Sequence, residues 1–155
     1  SLNPSEKPFA TIEFDVKTIA NKANDCVPSS FTEINDYYDG KLSYQDMCDK
    51  LKYQEGKGVF DHPEKLRNIS KGFFTANDMD LSQLSNIDFA NSIQTDDRLI
   101  SLLFKYSSDM SHMDVVRSIQ YYSTKTVIKL RIGTYTLDNL ANKCYWTLLI
   151  GGLRY

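Results

Sequence analysis

Hydrophobic and polar residues alternate near both ends of the chain, and they recur at helical spacing between the ends. A period of two is typical of a strand with one buried face. The N-terminal alternating positions are Ile12, Phe14 and Val16, and the C-terminal ones are Ile128, Leu130 and Ile132. After Gly133 the pattern predicts a hairpin, and the aromatic and branched residues of 145–150 predict a further buried strand. The pattern therefore predicts a strand at the N-terminus and two or three at the C-terminus.

About five helices are predicted in the middle of the chain. One begins after Ser43, whose hydroxyl is placed to cap the first turn, and others begin near Pro63, Asp80 and Ser111. A shorter helix is predicted over residues 18–26, ending before the proline at position 28. A central helix is predicted over 99–106, because almost every residue there is apolar.

The order of these elements predicts the fold class. A strand, a run of helices and then more strands indicates an α+β fold. We expect the N-terminal strand to join the two or three C-terminal strands in one small antiparallel or mixed sheet, packed against the helices. Residues 1–155 are expected to form a single globular domain, with residues 1–8 as a flexible tail.

Composition and charge narrow the class of protein. Of the 155 residues, 41% are hydrophobic and 25% are charged, which favours a globular chain over a disordered one. No run approaches the roughly 20 apolar residues of a membrane-spanning helix, so we expect no membrane association. The first 64 residues carry 12 acidic and 7 basic side chains, and the remainder carry 8 and 11. The N-terminal part of the chain is thus acidic and the C-terminal part is mildly basic. Attraction between the acidic part of one copy and the basic part of another is also compatible with a homo-oligomer.

Three cysteines, Cys26, Cys48 and Cys144, are too few and too far apart for a disulfide framework. They favour the cytoplasm or another reducing compartment. Neither His62 nor His112 stands near a cysteine in the sequence, and no cysteine is predicted at the start of a helix, where a thiolate is stabilised. The sequence therefore predicts no catalytic residue.

The segment from Asn35 to Asp46 resembles the calcium loop of an EF-hand, with Asp39 and Gly40 at its fifth and sixth positions. Tyr37 stands at the third position, where a carboxylate is needed, and Asp46 replaces the terminal glutamate. A turn leading into a capped helix explains the same residues. No glycine-rich phosphate loop is present in the sequence either. We therefore expect no metal and no cofactor.

The leading hypothesis for function is a non-enzymatic domain that binds another protein. Exposed tyrosines are enriched at interface hot spots, because they combine a large contact area with a hydrogen bond. Two adjacent pairs are the candidate anchors: Tyr37 with Tyr38, and Tyr121 with Tyr122.

Two alternatives remain open. A basic strand face beside tyrosine rings is what single-stranded nucleic-acid binders use, and the candidate anion contacts are Lys125, Lys129 and Arg131. The second alternative is an enzyme whose active site is not visible as a motif, because active sites assemble from residues scattered along the sequence.

Overall fold

A computed structural model describes residues 6–19, 22–59 and 62–155. Within these ranges the chain forms eight strands, five α-helices and one 3-10 helix. The strands are β1 (Ala10–Glu13), β2 (Phe74–Met79), β3 (Leu99–Ser107), β4 (Met110–Val115), β5 (Ser118–Tyr121), β6 (Thr126–Leu130), β7 (Gly133–Thr136) and β8 (Cys144–Leu153). The helices are α1 (Cys26–Tyr37), α2 (Tyr44–Leu51), α3 (Pro63–Phe73), α4 (Ile87–Thr95) and α5 (Leu137–Lys143), with the 3-10 helix at Leu81–Ser85.

Two four-stranded antiparallel sheets organise this α+β fold. Their strand orders are β1-β5-β6-β7 and β2-β8-β3-β4. The prediction of one small sheet with three or four strands packed against about five central helices is therefore wrong. Side chains of both sheets join one hydrophobic core. A flexible tail was predicted at residues 1–8, of which residues 1–5 lie outside the described residues. Within the described part, Glu6 Oε2 lies 3.6 Å from Lys125 Nζ.

The predicted central helix is strand β3. It lies between β8 and β4, and every residue from Leu99 to Phe104 is buried. Successive side chains of a strand point to opposite faces, so burial of all six means that both faces of β3 are covered. A strand covered on both faces has no polar alternation, and its sequence cannot be distinguished from that of a buried helix by periodicity. The helix predicted from Ser111 is wrong for a related reason, because that segment forms β4 and β5.

The first helix also begins later than predicted. Of the segment 18–25, residues 18, 19 and 22–25 are described and are not helical, and α1 begins at Cys26. Pro28 is the third residue of α1, where its missing N–H would have had no intrahelical acceptor. Phe31 and Ile34 are fully buried, and α1 packs on β4. Cys26 therefore stands at the N-terminus of a helix that is fixed against the second sheet.

Several local predictions are confirmed. Ser43 and Asp46 form a capping box at the start of α2, α3 begins at Pro63, and Asp80 caps the 3-10 helix. β6 and β7 form the hairpin predicted around Gly133, and β8 includes the predicted strand over 145–150. None of the helices in the described part of the chain is long and apolar enough to cross a membrane.

Leu103 provides a test of the buried sheet. Its side chain is 4% exposed, and it pairs with Met113 on one side and Trp146 on the other. Leu103→Ala should lower the free energy of unfolding by about 2–5 kcal/mol, because it removes core contacts and leaves a cavity. Urea unfolding measures the change. Lys105→Ala, on the exposed end of the same strand, should stay within about 0.5 kcal/mol, and equal effects of the two substitutions would contradict this packing.

Candidate functional site

An open cleft of about 630 Å³ lies at the N-terminus of α1. Three loops contribute to its walls: residues 56–59, the turn between β3 and β4, and the turn between β6 and β7. The side chains in it that carry reactive or titratable groups include Asp25, Cys26, His112 and Arg131. The cleft therefore brings a thiol and an imidazole together from residues distant in the sequence.

His112 is held by a carboxylate. His112 and Asp114 lie two residues apart on β4, so their side chains project to the same side of the strand. His112 Nε2 lies 2.8 Å from Asp114 Oδ2. The other oxygen, Asp114 Oδ1, accepts hydrogen bonds from the Val115 N–H at 2.8 Å and from Arg117 Nη1 at 3.1 Å. Because Asp114 is fully buried and both of its oxygens are bonded, it fixes the orientation of the His112 ring.

Cys26 lies in the same cleft as His112. Its thiol is partly buried and is among the groups that raise the pKa of His112. The Ser30 hydroxyl donates a hydrogen bond of 3.2 Å to the Met113 carbonyl, which ties α1 directly to β4. Helix packing therefore fixes the thiol relative to the imidazole.

The charge on His112 is strongly stabilised. Burial disfavours the imidazolium, but the hydrogen bonds and charges of Asp114 and Cys26 outweigh it and raise the pKa of His112 to about 9. His112 is therefore protonated at neutral pH. A positive charge near a thiol is one of the features found at nucleophilic cysteines.

The start of α1 provides two free hydrogen-bond donors. The N–H groups of Cys26 and Val27 have no hydrogen-bond acceptor among the described residues. Asp25 precedes them but does not cap the helix, because its Oδ2 accepts hydrogen bonds from the Lys22 N–H, the Ser29 hydroxyl and the Tyr44 hydroxyl. Uncapped amides at a helix N-terminus attract negative charge. They are therefore available to stabilise a thiolate or an oxyanion in the cleft.

A buried ion-pair chain continues behind Asp114. Arg117 donates from Nη1 to Asp114 and from Nη2 to Glu33 Oε2, which lies 2.5 Å away. Glu33 stands two turns after Cys26 on α1. Burial raises the pKa of Glu33, and the charge and hydrogen bond of Arg117 oppose this shift only in part. Arg117 therefore links the helix that carries the thiol to the strand that carries the imidazole.

The tyrosines predicted as anchors do not form one exposed surface. Tyr37 and Tyr38 are half-buried at the end of α1. The Tyr37 hydroxyl donates a hydrogen bond to the Asp97 carboxylate, and the Tyr38 hydroxyl donates one of 2.8 Å to the Asp97 backbone carbonyl. Tyr121 and Tyr122 are buried, so the exposure expected of that pair is wrong. The hypothesis of a protein partner at these tyrosines stays a prediction.

The three basic residues predicted as anion contacts are not brought to one face. Lys129 is exposed on β6, whereas Lys125 lies near Glu6 and over the ring of Tyr122. The Arg131 side chain turns inward, with Nη1 4.0 Å from Asp25 Oδ1. Arg131 lies just after the end of β6, so strand alternation does not govern its direction. The prediction that Lys129 and Arg131 share an outward face is therefore wrong for Arg131.

Among the described residues, the thiols and carboxylates do not assemble into a metal site. Cys26, Cys48 and Cys144 are free thiols, and the described residues contain no group of three or more His, Cys, Asp or Glu side chains that could hold a metal ion. Asn35, the first position of the calcium-like segment, is buried in α1. Its amide donates to the Leu42 carbonyl at 2.8 Å.

The group of Cys26, His112 and Asp114 was missed in the sequence because both of its elements were misassigned. Two signals were available: a proline two residues after Cys26 is compatible with the first turn of a helix, and a His-x-Asp pair has the spacing of one strand face.

No protein-family model matches the sequence, and no curated protein is significantly similar to it. The geometry of the cleft is therefore the basis for assigning a function.

Proposed function

We propose that this protein is an enzyme that hydrolyses or transfers acyl groups through a cysteine nucleophile. Cys26 is the nucleophile, His112 exchanges protons with it and with the substrate, and Asp114 orients His112. The observation that carries this proposal is an open cleft lined by the helix-start thiol of Cys26 and by His112, whose Nε2 lies 2.8 Å from a buried carboxylate. A nucleophile next to a base that is itself oriented by a third group is typical of covalent catalysis.

The reaction follows from these positions. The Cys26 thiolate attacks the carbonyl carbon of an amide or ester, and the N–H groups of Cys26 and Val27 stabilise the negative oxygen that forms. The His112 imidazolium gives its proton to the leaving nitrogen or oxygen as the bond to carbon breaks, which leaves an acyl thioester on Cys26. His112 then takes a proton from water, whose oxygen attacks the thioester carbon; the carbon–sulfur bond breaks and releases the carboxylic acid and the Cys26 thiolate.

Asp114 supports both steps without exchanging a proton itself. A carboxylate bonded to one ring nitrogen sets the tautomer of the imidazole and stabilises the imidazolium form. Its second oxygen is held by Val115 and Arg117, which prevents the carboxylate from rotating. An uncharged side chain at this position would leave His112 both less basic and less well oriented.

The other two cysteines lack these features. Cys48 is buried, and burial raises the pKa of its thiol. Burial likewise raises the pKa of the Cys144 thiol, whose sulfur lies 3.2 Å from both the Trp146 carbonyl and the Thr147 hydroxyl. A raised thiol pKa disfavours the reactive thiolate. Cys48 and Cys144 are therefore internal controls for the reactivity of Cys26.

Reaction with p-nitrophenyl acetate tests the proposal. We expect a burst of p-nitrophenolate equal in amount to the protein, and one acetyl group located on Cys26 by peptide mass spectrometry. Cys26→Ala should abolish the burst, whereas Cys48→Ala and Cys144→Ala should retain it. Acetylation spread evenly over the three cysteines, or a full burst from Cys26→Ala, would show that Cys26 is not an activated nucleophile.

A further inference from the structure

Apolar side chains are exposed at the proposed active site. The described residues expose six large hydrophobic side chains, and three of them line the cleft: Tyr106 at 54%, Met110 at 49% and Ile132 at 38%. Exposed apolar groups that cluster in a concave site mark places where a ligand buries them. Half of these exposed side chains therefore lie where a substrate would bind.

The apolar surface borders His112. The ring centroid of Tyr106 lies 6.1 Å from that of the imidazole, across the β3–β4 hairpin. Met110 precedes His112 by two residues on β4, so both side chains project to the same side of the strand. Ile132 reaches the same cleft from the turn between β6 and β7.

Proton transfer determines which part of a substrate meets this surface. His112 must give its proton to the leaving atom, and general acid catalysis requires the donor nitrogen within hydrogen-bond reach of that atom. The leaving group therefore lies on the His112 side of Cys26, while the acyl group stays attached to the sulfur. A surface that borders His112 accordingly faces the leaving group.

We propose that Tyr106, Met110 and Ile132 form a subsite for a large apolar side chain on the leaving-amine side of the scissile bond. The preferred substrates are then peptides or amides in which the cleaved bond is followed by a residue such as leucine or phenylalanine. This inference rests on the proposed cysteine mechanism and adds the substrate class to it. Burial of one aliphatic side chain in such a subsite changes specificity by roughly 10- to 200-fold.

Capture of the acetyl group by amines tests the subsite without knowledge of the natural acyl group. Acetyl-Cys26, formed from p-nitrophenyl acetate, partitions between water and an added amine. The amine nitrogen attacks the thioester carbon, the carbon–sulfur bond breaks, and His112 takes the proton from nitrogen, so the product is an N-acetyl amide. This is the reverse of amide cleavage, so the amine binds where the leaving group departs. We expect leucinamide to be captured at least about tenfold more efficiently than glycinamide.

Three variants assign the preference to residues. Met110→Ser and Ile132→Ser should each lower the leucinamide-to-glycinamide ratio towards one. Tyr145→Ser is the matched control, because Tyr145 is similarly exposed at 48% but does not line the cleft, and it should keep the wild-type ratio. The ratio is internal to each protein, so differences in the amount of active enzyme cancel.

The outcomes separate this inference from the proposed function. If Cys26 is acetylated but captures both amines equally, the subsite is overturned and the nucleophile stands. If no acetyl group forms on Cys26, both are overturned. A leucinamide preference that persists in both serine variants would show that other residues recognise the leaving group, and would overturn the assignment to Met110 and Ile132.

Discussion

Replacing His112 by glutamine should slow the alkylation of Cys26 by iodoacetamide at pH 6 by about tenfold or more, because it removes the cation that shares the cleft with this thiol. Iodoacetamide reacts with the thiolate, and an ordinary cysteine, with a pKa near 8.5, is less than about 1% thiolate at this pH. A cation near a thiol favours its reaction as the thiolate, whereas glutamine carries no charge. Peptide mass spectrometry at Cys26 over time gives both rate constants.

The effect should depend on pH in one direction. Interactions with Asp114 and Cys26, which outweigh burial, raise the pKa of His112 to about 9, so the imidazolium is present below that pH and lost above it. The ratio of wild-type to His112→Gln rates should therefore be largest near pH 6 and shrink as the pH rises past 9, where ordinary thiols also ionise. His62→Gln is the control, since His62 is exposed at the start of α3. A ratio near one at pH 6 would contradict the proposed action of His112 on Cys26.

Arg117→Met should lower the free energy of unfolding by about 3–5 kcal/mol, because it leaves the Glu33 carboxylate buried without a cation and leaves Asp114 with His112 alone. Both carboxylates are inaccessible to solvent, and Arg117 is the side chain that bridges them. Methionine keeps much of the length and apolar bulk of arginine, so a cavity contributes little to the change in the free energy of unfolding. Urea denaturation with a shared slope gives the difference between the two proteins.

A matched exposed ion pair and a second substitution isolate the role of charge. Arg67 contacts Glu64 and Asp78 at the surface, so Arg67→Met should cost no more than about 1 kcal/mol. Adding Glu33→Gln to Arg117→Met removes one stranded carboxylate and should recover part of the lost stability. If Arg117→Met costs no more than Arg67→Met, the buried chain does not hold α1 to β4.

Sequence alone determined the elements whose signals are local. The start of α2 depends on Ser43 and Asp46, which bond each other's backbone within one turn, and α3 begins where a proline fits the first turn. β6 alternates buried and exposed side chains at its end, and Gly133, the first residue of β7 after the turn, adopts a positive φ of 148°. In each case residues within a few positions supply the whole physical cause, so a prediction needs no partner from elsewhere in the chain.

Tertiary structure decided the elements that are covered on both sides. The apolar residues of 99–104 fit a helix or a strand equally well, and pairing with β8 and β4 selected the strand. In α1, Pro28 indicated a helix end, but packing of Phe31 and Ile34 into the core made it part of the first turn. Hydrophobic periodicity arises where one face of an element is buried and the other contacts water. It therefore cannot distinguish a helix from a strand when both faces of the element are buried.

The pairing of Cys26 with His112 in the proposed site belongs to this second class. The two residues are 86 positions apart in the sequence, and nothing near either residue specifies the other. They share one cleft because α1 lies on β4, whereas Asp114 adjoins the imidazole because it stands two residues further along the same strand. The sequence supplies the residue types of the site. Long-range packing sets the distances between these residues and excludes water around them, and both determine the charge on His112 and the environment of the thiol.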